Sequence, residues 1–177
     1  TTRKPATDLG YLLHKHPGKL QQFEIPQGIA YVFYPEVSEE RCTAALLLDI
    51  DPVGMIRSNS HVNQSFSLGQ YVNDRPYAAS SLLSAALTKS FASALNGRCK
   101  DKPELVDEAL PLEIKISVLS VKGGETMLRR LFEPLGYHIS VTQHELDASF
   151  PWGQSRYFSA AFTHTITLQE ALQHFYV

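Results

Sequence analysis

The pattern that most restricts this fold lies in the second half of the chain, where the hydrophobic period switches between two and 3.6 in a definite order. Ile114, Ile116 and Val118 alternate with Lys115 and Ser117, as in a half-buried strand. Gly123-Gly124 interrupts that run. Leu128, Leu131, Phe132 and Leu135 then share one helical face, while Glu125, Arg129 and Glu133 align at i,i+4 on the other. Tyr137, Ile139 and Val141 predict the next strand, and Phe158, Ala160, Phe162 and Ile166 another. Thr167-x-x-Glu170 is a capping box opening a last helix, with Leu168, Leu172, Phe175 and Tyr176 facing inward. Two of these strands follow one another with no helix between them, so they pair antiparallel. The order predicts an α+β fold, a mostly antiparallel sheet with packed helices and room for two lobes, rather than a doubly wound parallel sheet.

The first half is less regular. Thr7 is placed to cap a short helix carrying Leu9, Leu12 and Leu13, closed by Pro17 and Gly18. Gln22 to Ile25 and Ile29 to Tyr34 read as strands joined by a turn at Pro26-Gln27-Gly28. Ala44 to Ile50 is an apolar run and predicts a buried strand. Residues 51–69 turn polar and predict a long loop. A helix follows, with Ser80 or Ser81 as its cap. Leu83, Leu87, Phe91 and Leu95 recur every four residues, Ala86 and Ala94 fill the same face, and Asn96-Gly97 ends it.

Of 177 residues, 44% are hydrophobic and 19% charged, a balance that supports a real core. The net charge of −2 argues against a domain that holds RNA unaided, because phosphate neutralisation needs a positive excess. The two cysteines, Cys42 and Cys99, stand far apart, which excludes a zinc ribbon or a disulfide framework and suits a reducing cytoplasm. No apolar run approaches the roughly 20 residues of a membrane helix, and no signal peptide is visible. The chain begins without Met and ends at Val177 directly after a helical pattern, as a piece of a longer protein would.

Motifs that carry chemistry are missing. Gly123-Gly124 follows a strand and precedes a helix but lacks the third glycine and the acidic partner of a dinucleotide fingerprint, so it reads as a helix-entry turn. There is no P-loop, no Lys-x-Asp-Gly and no Gly-x-Ser-x-Gly elbow. His14 and His16, two apart on a helix, point about 200° apart. His138, His144 and His164 fall on strands with no ligand spacing, so they read as strand or surface histidines.

Two segments carry the residue types that interfaces use as anchors. Tyr71, Asn73, Asp74, Arg75 and Tyr77 precede the long helix and either bind a partner or cap and cover the interior. Phe150-Pro151-Trp152-Gly153, with Arg156 and Tyr157, lies between two strands. Its tryptophan either anchors a partner or closes the bottom of the core, and the second reading is the simpler one. A competing view makes the domain an RNA platform with phosphate contacts from Lys100, Lys102, Arg129 and Arg130. An independent enzyme built on His or Asp residues is a further reading, with no substrate indicated.

Several stretches together resemble one family: Pro5-Ala-Thr-Asp-Leu-Gly-Tyr-Leu-Leu-His-Lys-His-Pro17, Val32-Phe-Tyr-Pro35, Glu40-Arg-Cys-Thr-Ala-Ala-Leu-Leu-Leu-Asp49, Tyr71-Val-Asn-Asp-Arg-Pro-Tyr-Ala-Ala-Ser-Ser81, Arg129-Arg-Leu-Phe-Glu-Pro-Leu-Gly-Tyr137 and Ser155-Arg-Tyr157. In order, over essentially the whole chain, they are similar to the N-terminal half of the bacterial HEN-type RNA methyltransferase, which methylates the 2′-hydroxyl of the RNA 3′-terminal ribose. The resemblance implies a single ligase-activating domain over residues 1–177. Its partner would be the bacterial polynucleotide kinase–phosphatase–ligase that repairs cleaved RNA, including tRNA, in a cytoplasmic hetero-oligomer that reaches RNA through the complex. It also implies no catalytic residue, cofactor or metal here. S-adenosylmethionine and a divalent metal belong to the C-terminal half of such an enzyme.

Overall fold

A computed structural model of the chain describes residues 1–26, 28–51, 78–147 and 149–176. The fold is α+β, with two separate three-stranded antiparallel sheets. The chain divides into a larger unit, residues 2–108 with 167–177, and a smaller unit, residues 109–166 with Thr1. The smaller unit is therefore an excursion from a larger one that resumes afterwards.

In the larger unit a 3-10 turn, Ala6–Asp8, runs into α1, Leu9–Leu13. Leu9, Leu12 and Leu13 are buried as the spacing predicts. Thr7 does not cap this helix. It lies inside the 3-10 turn, where no side chain makes a capping bond. Nor do Pro17 and Gly18 close α1: the chain turns earlier, at His14, which takes the left-handed conformation at φ 53°. Asp8 is buried and receives both Arg3 Nη1, at 2.7 Å, and the Lys102 ammonium, while Arg3 also makes a two-pronged bond to Glu108. These bonds raise the affinity of Arg3 and Lys102 for their protons, through Glu108 foremost for Arg3 and through Asp8 for Lys102.

Strands β1 (Gln21–Ile25), β2 (Gly28–Val37) and β3 (Cys42–Ile50) form the first sheet in sequence order. Ile25 pairs with Gly28, so the first hairpin closes where the sequence indicates. β2 runs on past Tyr34 through a register shift between Phe33 and Glu36. That stretch contains Pro35, which has no N–H to give to a regular ladder. The expectation that Ala44 to Ile50 is a buried strand holds for one face only, because the described residues pack against just one side of β3. Ala44, Leu46, Leu48 and Ile50 pack inward while Leu47 is exposed.

Helix α2 (Ala78–Leu95) covers the inner face. Leu87, Phe91 and Ala94 pack with Val32, Cys42, Ala6, Leu9 and Leu13, and Ala86 meets Ile25 and Ala30. Ser80 and Ser81 fall inside this helix rather than at its first position. The helix kinks at Phe91, φ −124° and ψ 28°. Its end is a Schellman turn: Gly97 at φ 61°, with Gly97 N–H donating to Ala94 O and Arg98 N–H to Ser93 O. Residues 52–77, which include the polar loop expected over 51–69, lie outside the described residues apart from Asp51.

After the smaller unit, whose helix is α3 (Gly124–Phe132), the chain returns as α4 (Leu168–His174). Thr167 Oγ accepts the Glu170 N–H at 3.2 Å and donates to the Glu170 carboxylate at 2.7 Å, the expected cap. Leu168 and Leu172 pack on the α2 core. Tyr176 was expected inside but is about half exposed, because it falls beyond the last turn of the helix.

In the smaller unit β4 (Leu110–Leu119), α3 (Gly124–Phe132), β5 (His138–Glu145) and β6 (Gln154–Ile166) build a sheet of order β4-β6-β5. β5 and β6, the strands joined without a helix, pair antiparallel. Gly123 and Gly124 both sit at positive φ and turn the chain into α3. Phe132, Tyr137 and Phe162 form the aromatic centre, with Phe132 and Phe162 centroids 4.8 Å apart. Two expectations fail. Val118 is 70% exposed, because the register with β6 shifts between Ile116 and Leu119, and the extra residue turns Val118 outward. Leu131 and Leu135 are also exposed. On α3 the buried pair is Leu128 with half-buried Phe132, four apart, and a step of three leaves Leu131 on the rim. Pro134 then turns the chain into a 3-10 turn, Glu133–Leu135, which breaks the period before Leu135.

A methyl group at Gly28 would strike the Asp49 carbonyl and lie 3.0 Å from Ile50 Cα, both rigid backbone of β3. Gly28→Ala should lower stability by about 1–3 kcal/mol through overpacking, read as a lower urea midpoint. An unchanged midpoint would mean that β3 does not pack this tightly on β2.

Candidate protein-interaction site

The β5–β6 hairpin ends in a short loop whose own hydrogen bonds define its course. Leu146 N–H donates to Gly153 O at 3.1 Å and Ser149 N–H to the Asp147 carboxylate at 2.8 Å. Trp152 N–H reaches back to Phe150 O at 2.8 Å, and Gly153 takes φ 82° to re-enter the strand. Pro151 between the two aromatics restricts the backbone there.

The outcome is an exposed aromatic stack. The Phe150 and Trp152 rings lie 4.8 Å apart and within 12° of parallel. They are 54% and 63% exposed, and Leu146 beside them in the loop is exposed too. Trp152 therefore does not close the bottom of the core. Two large apolar side chains held against each other in water have already lost most of their rotamer freedom, so a partner that covers them gains area at reduced entropic cost. On the adjoining part of β6, the Arg156 guanidinium sits 4.9 Å over the Tyr157 ring and donates to its hydroxyl at 2.8 Å. Tyr157 is half-buried and Arg156 exposed, so this second pair offers a fixed cation beside the strand. The sequence singled out Trp152, Arg156 and Tyr157. It also named Phe150, within Phe150-Pro151-Trp152-Gly153, but passed over Leu146.

The other segment, Tyr71, Asn73, Asp74, Arg75 and Tyr77, lies outside the described residues. Of the four cations considered for phosphate contacts, Lys102 is bound to Asp8, and Arg129 is clamped between Glu125 and Glu133 at 2.6 and 2.9 Å. His138, His144 and His164 lie on β5 and β6 as expected: His138 faces Thr163 across the ladder, His144 bonds Ser159 Oγ at 2.9 Å, and His164 packs on Tyr137. Among the described residues, no three His, Cys, Asp or Glu side chains gather as a metal site would need. No described helix is long and apolar enough to cross a membrane.

A family model described as the RNA repair, ligase-Pnkp-associating, region of Hen1 matches residues 1–177, the whole chain. A search among curated proteins finds no match.

The two cysteine thiols of the chain, both in the larger unit, are buried. Cys42 is fully buried, and burial raises its thiol above the ordinary range; burial does the same to the Tyr34 hydroxyl, which donates to Lys15 O at 3.1 Å. Cys99 is buried and its thiol faces Tyr11 O at 3.5 Å. A raised acid pKa favours the folded state's neutral form, so Cys42 withdraws stability only as the pH climbs past the thiol's unfolded value. Both thiols should resist Ellman's reagent at pH 8 in the folded chain and react within minutes in 6 M guanidinium. A fast native reaction at either cysteine would contradict this sequestration.

Proposed function

The chain belongs to the RNA-repair, ligase-Pnkp-associating region of Hen1, and on that premise we propose that it is a non-catalytic docking domain. It binds the RNA ligase module of the bacterial polynucleotide kinase–phosphatase–ligase and favours the module's competent state. Methylation of the 2′-hydroxyl at the RNA 3′ end, with S-adenosylmethionine and a divalent metal, is the work of the methyltransferase domain of the parent protein. The complex is a cytoplasmic hetero-oligomer that repairs cleaved RNA such as tRNA.

The observation that carries this reading is the exposed Phe150–Trp152 stack beside the Arg156–Tyr157 pair. Trp, Tyr and Arg are the residues whose truncation most often costs an interface its affinity. Activation needs no chemistry from the domain. It needs only tighter binding to the competent ligase than to the idle one, and a tenfold gain in the competent population takes about 1.4 kcal/mol of difference. An anchor worth roughly 2 kcal/mol or more covers that difference.

The test is to mix the chain with purified ligase module and follow co-elution and AMP transfer from labelled ATP to the ligase. The chain should co-elute and raise AMP transfer. Trp152→Ala should shift the activation midpoint to about 30-fold higher concentration, the equivalent of roughly 2 kcal/mol, and leave the plateau unchanged. A ligase indifferent to the chain would sink the proposal, and a Trp152→Ala chain with the wild-type midpoint would remove the hairpin from the interface.

A further inference from the structure

We propose that the larger unit carries a phosphate-binding groove for the RNA backbone, formed where α1 and α2 end. This rests on the RNA-repair assignment but not on ligase activation, and it adds a direct RNA contact to a domain otherwise read as a protein-docking one. The groove is open, holds about 500 Å³, and is lined by His14, Ser93, Arg98, Cys99, Lys100 and Asp107 among others.

Local geometry selects these side chains. Cys99 is buried with its thiol on Tyr11 O, while Arg98 and Lys100 on either side of it are exposed. The two cations thus emerge together from one anchored residue. Arg98 is not needed to neutralise the end of α2, because the Schellman bonds already satisfy Ser93 O and Ala94 O. Arg98 and Lys100 also differ from several basic residues elsewhere. Arg3, Lys4, Arg41, Lys102, Lys115 and Arg129 each face a carboxylate. The side chains of Arg98 and Lys100 have no such partner among the described residues.

The remaining groups match a phosphodiester. His14 Nε2 accepts the Lys100 N–H at 3.4 Å, and the neutral tautomer that does so keeps its proton on Nδ1 as a donor. Asp107 also lines the groove, so the lining side chains carry two positive charges and one negative charge. A net single positive charge, a planar guanidinium fork and an ammonium suit the single negative charge of an internucleotide phosphate. The acidic whole chain does not forbid this, because the groove acts locally and within a complex that already gathers RNA.

The test is fluorescence anisotropy of a labelled single-stranded RNA 12-mer with the 177-residue chain, over a potassium chloride series. Wild type should bind with a salt-dependent affinity. Arg98→Ala with Lys100→Ala should weaken binding at least about fivefold at low salt and flatten the slope of log affinity against log salt by about 0.7 for each phosphate lost. Lys122→Ala, removing an exposed lysine from the smaller unit, should change neither. An unaltered slope in the double variant would overturn the proposal. So would displacement of RNA by inorganic phosphate at matching concentration, which would make this a small-anion site. Ligase co-elution of the double variant separates the two readings: RNA binding intact with co-elution lost would make the groove a protein contact and overturn the assignment, whereas RNA binding lost with co-elution intact is the expected pair of results.

Discussion

The larger unit has a complete core only when the end of the chain comes back to it. Leu168 and Leu172 of α4 pack on the cluster that α2 forms with the first sheet, Gln173 Nε2 donates to Leu95 O at 3.2 Å, and Gln169 lies against Gly97. On the other side of the excursion, Glu108 is gripped through both its oxygens by Arg3. Residues 109–166 therefore leave and re-enter a fold that secures both ends of the segment. Burying Asp8 with only one cation would leave part of its charge poorly solvated; Arg3 and Lys102 together satisfy both oxygens. That network joins two stretches distant in sequence, residues 3–8 and 102–108.

The smaller unit depends on β6, the central strand of its sheet. Its inward residues Phe158, Ala160, Phe162 and Ile166 are all buried, and Phe162 meets both Phe132 and Tyr137. A strand paired on both sides is a firm base for the loop that precedes it. The Phe150–Trp152 stack thus rests on rigid structure rather than on a free tail, and preorganised anchors of this kind bind with less loss of entropy. Arg98 and Lys100, which face no carboxylate among the described residues, follow α2 in the larger unit, whereas the aromatic stack belongs to the smaller unit.

Much of this was legible in the sequence. The antiparallel β5–β6 pair, the capping box at Thr167, the Gly97 stop and the buried stripe of α2 follow from local period and turn chemistry. The misses share a cause: each needed information from a partner strand or a neighbouring turn. Val118 faces outward because β4 and β6 slip by one residue, which no alternation within β4 can reveal. Leu47 is exposed because it alternates onto the face of the sheet opposite to the core, and an apolar run does not show which of its faces will be covered. Thr7 yields its capping role to a 3-10 turn held by Asp8, whose partners lie up to 94 residues away. Residue type alone singled out Trp152, Arg156 and Tyr157 as candidate anchors. The sequence did not say that Phe150 would stack on Trp152 in water, nor that Lys102 and Arg129 would be occupied while Arg98 and Lys100 stay unpaired.

A domain that activates by preferring one state of its partner must obey linkage: whatever factor it adds to the partner's competent form, that form adds to its own affinity. Titration calorimetry of the chain into the ligase module, once with the module free of nucleotide and once with it carrying AMP on its lysine, measures that factor directly. Tighter binding to the adenylylated module, by the same ratio as the gain in AMP transfer at equilibrium, is the predicted result. Equal affinity for the two forms would contradict the account, since a ligand that binds both states alike shifts neither.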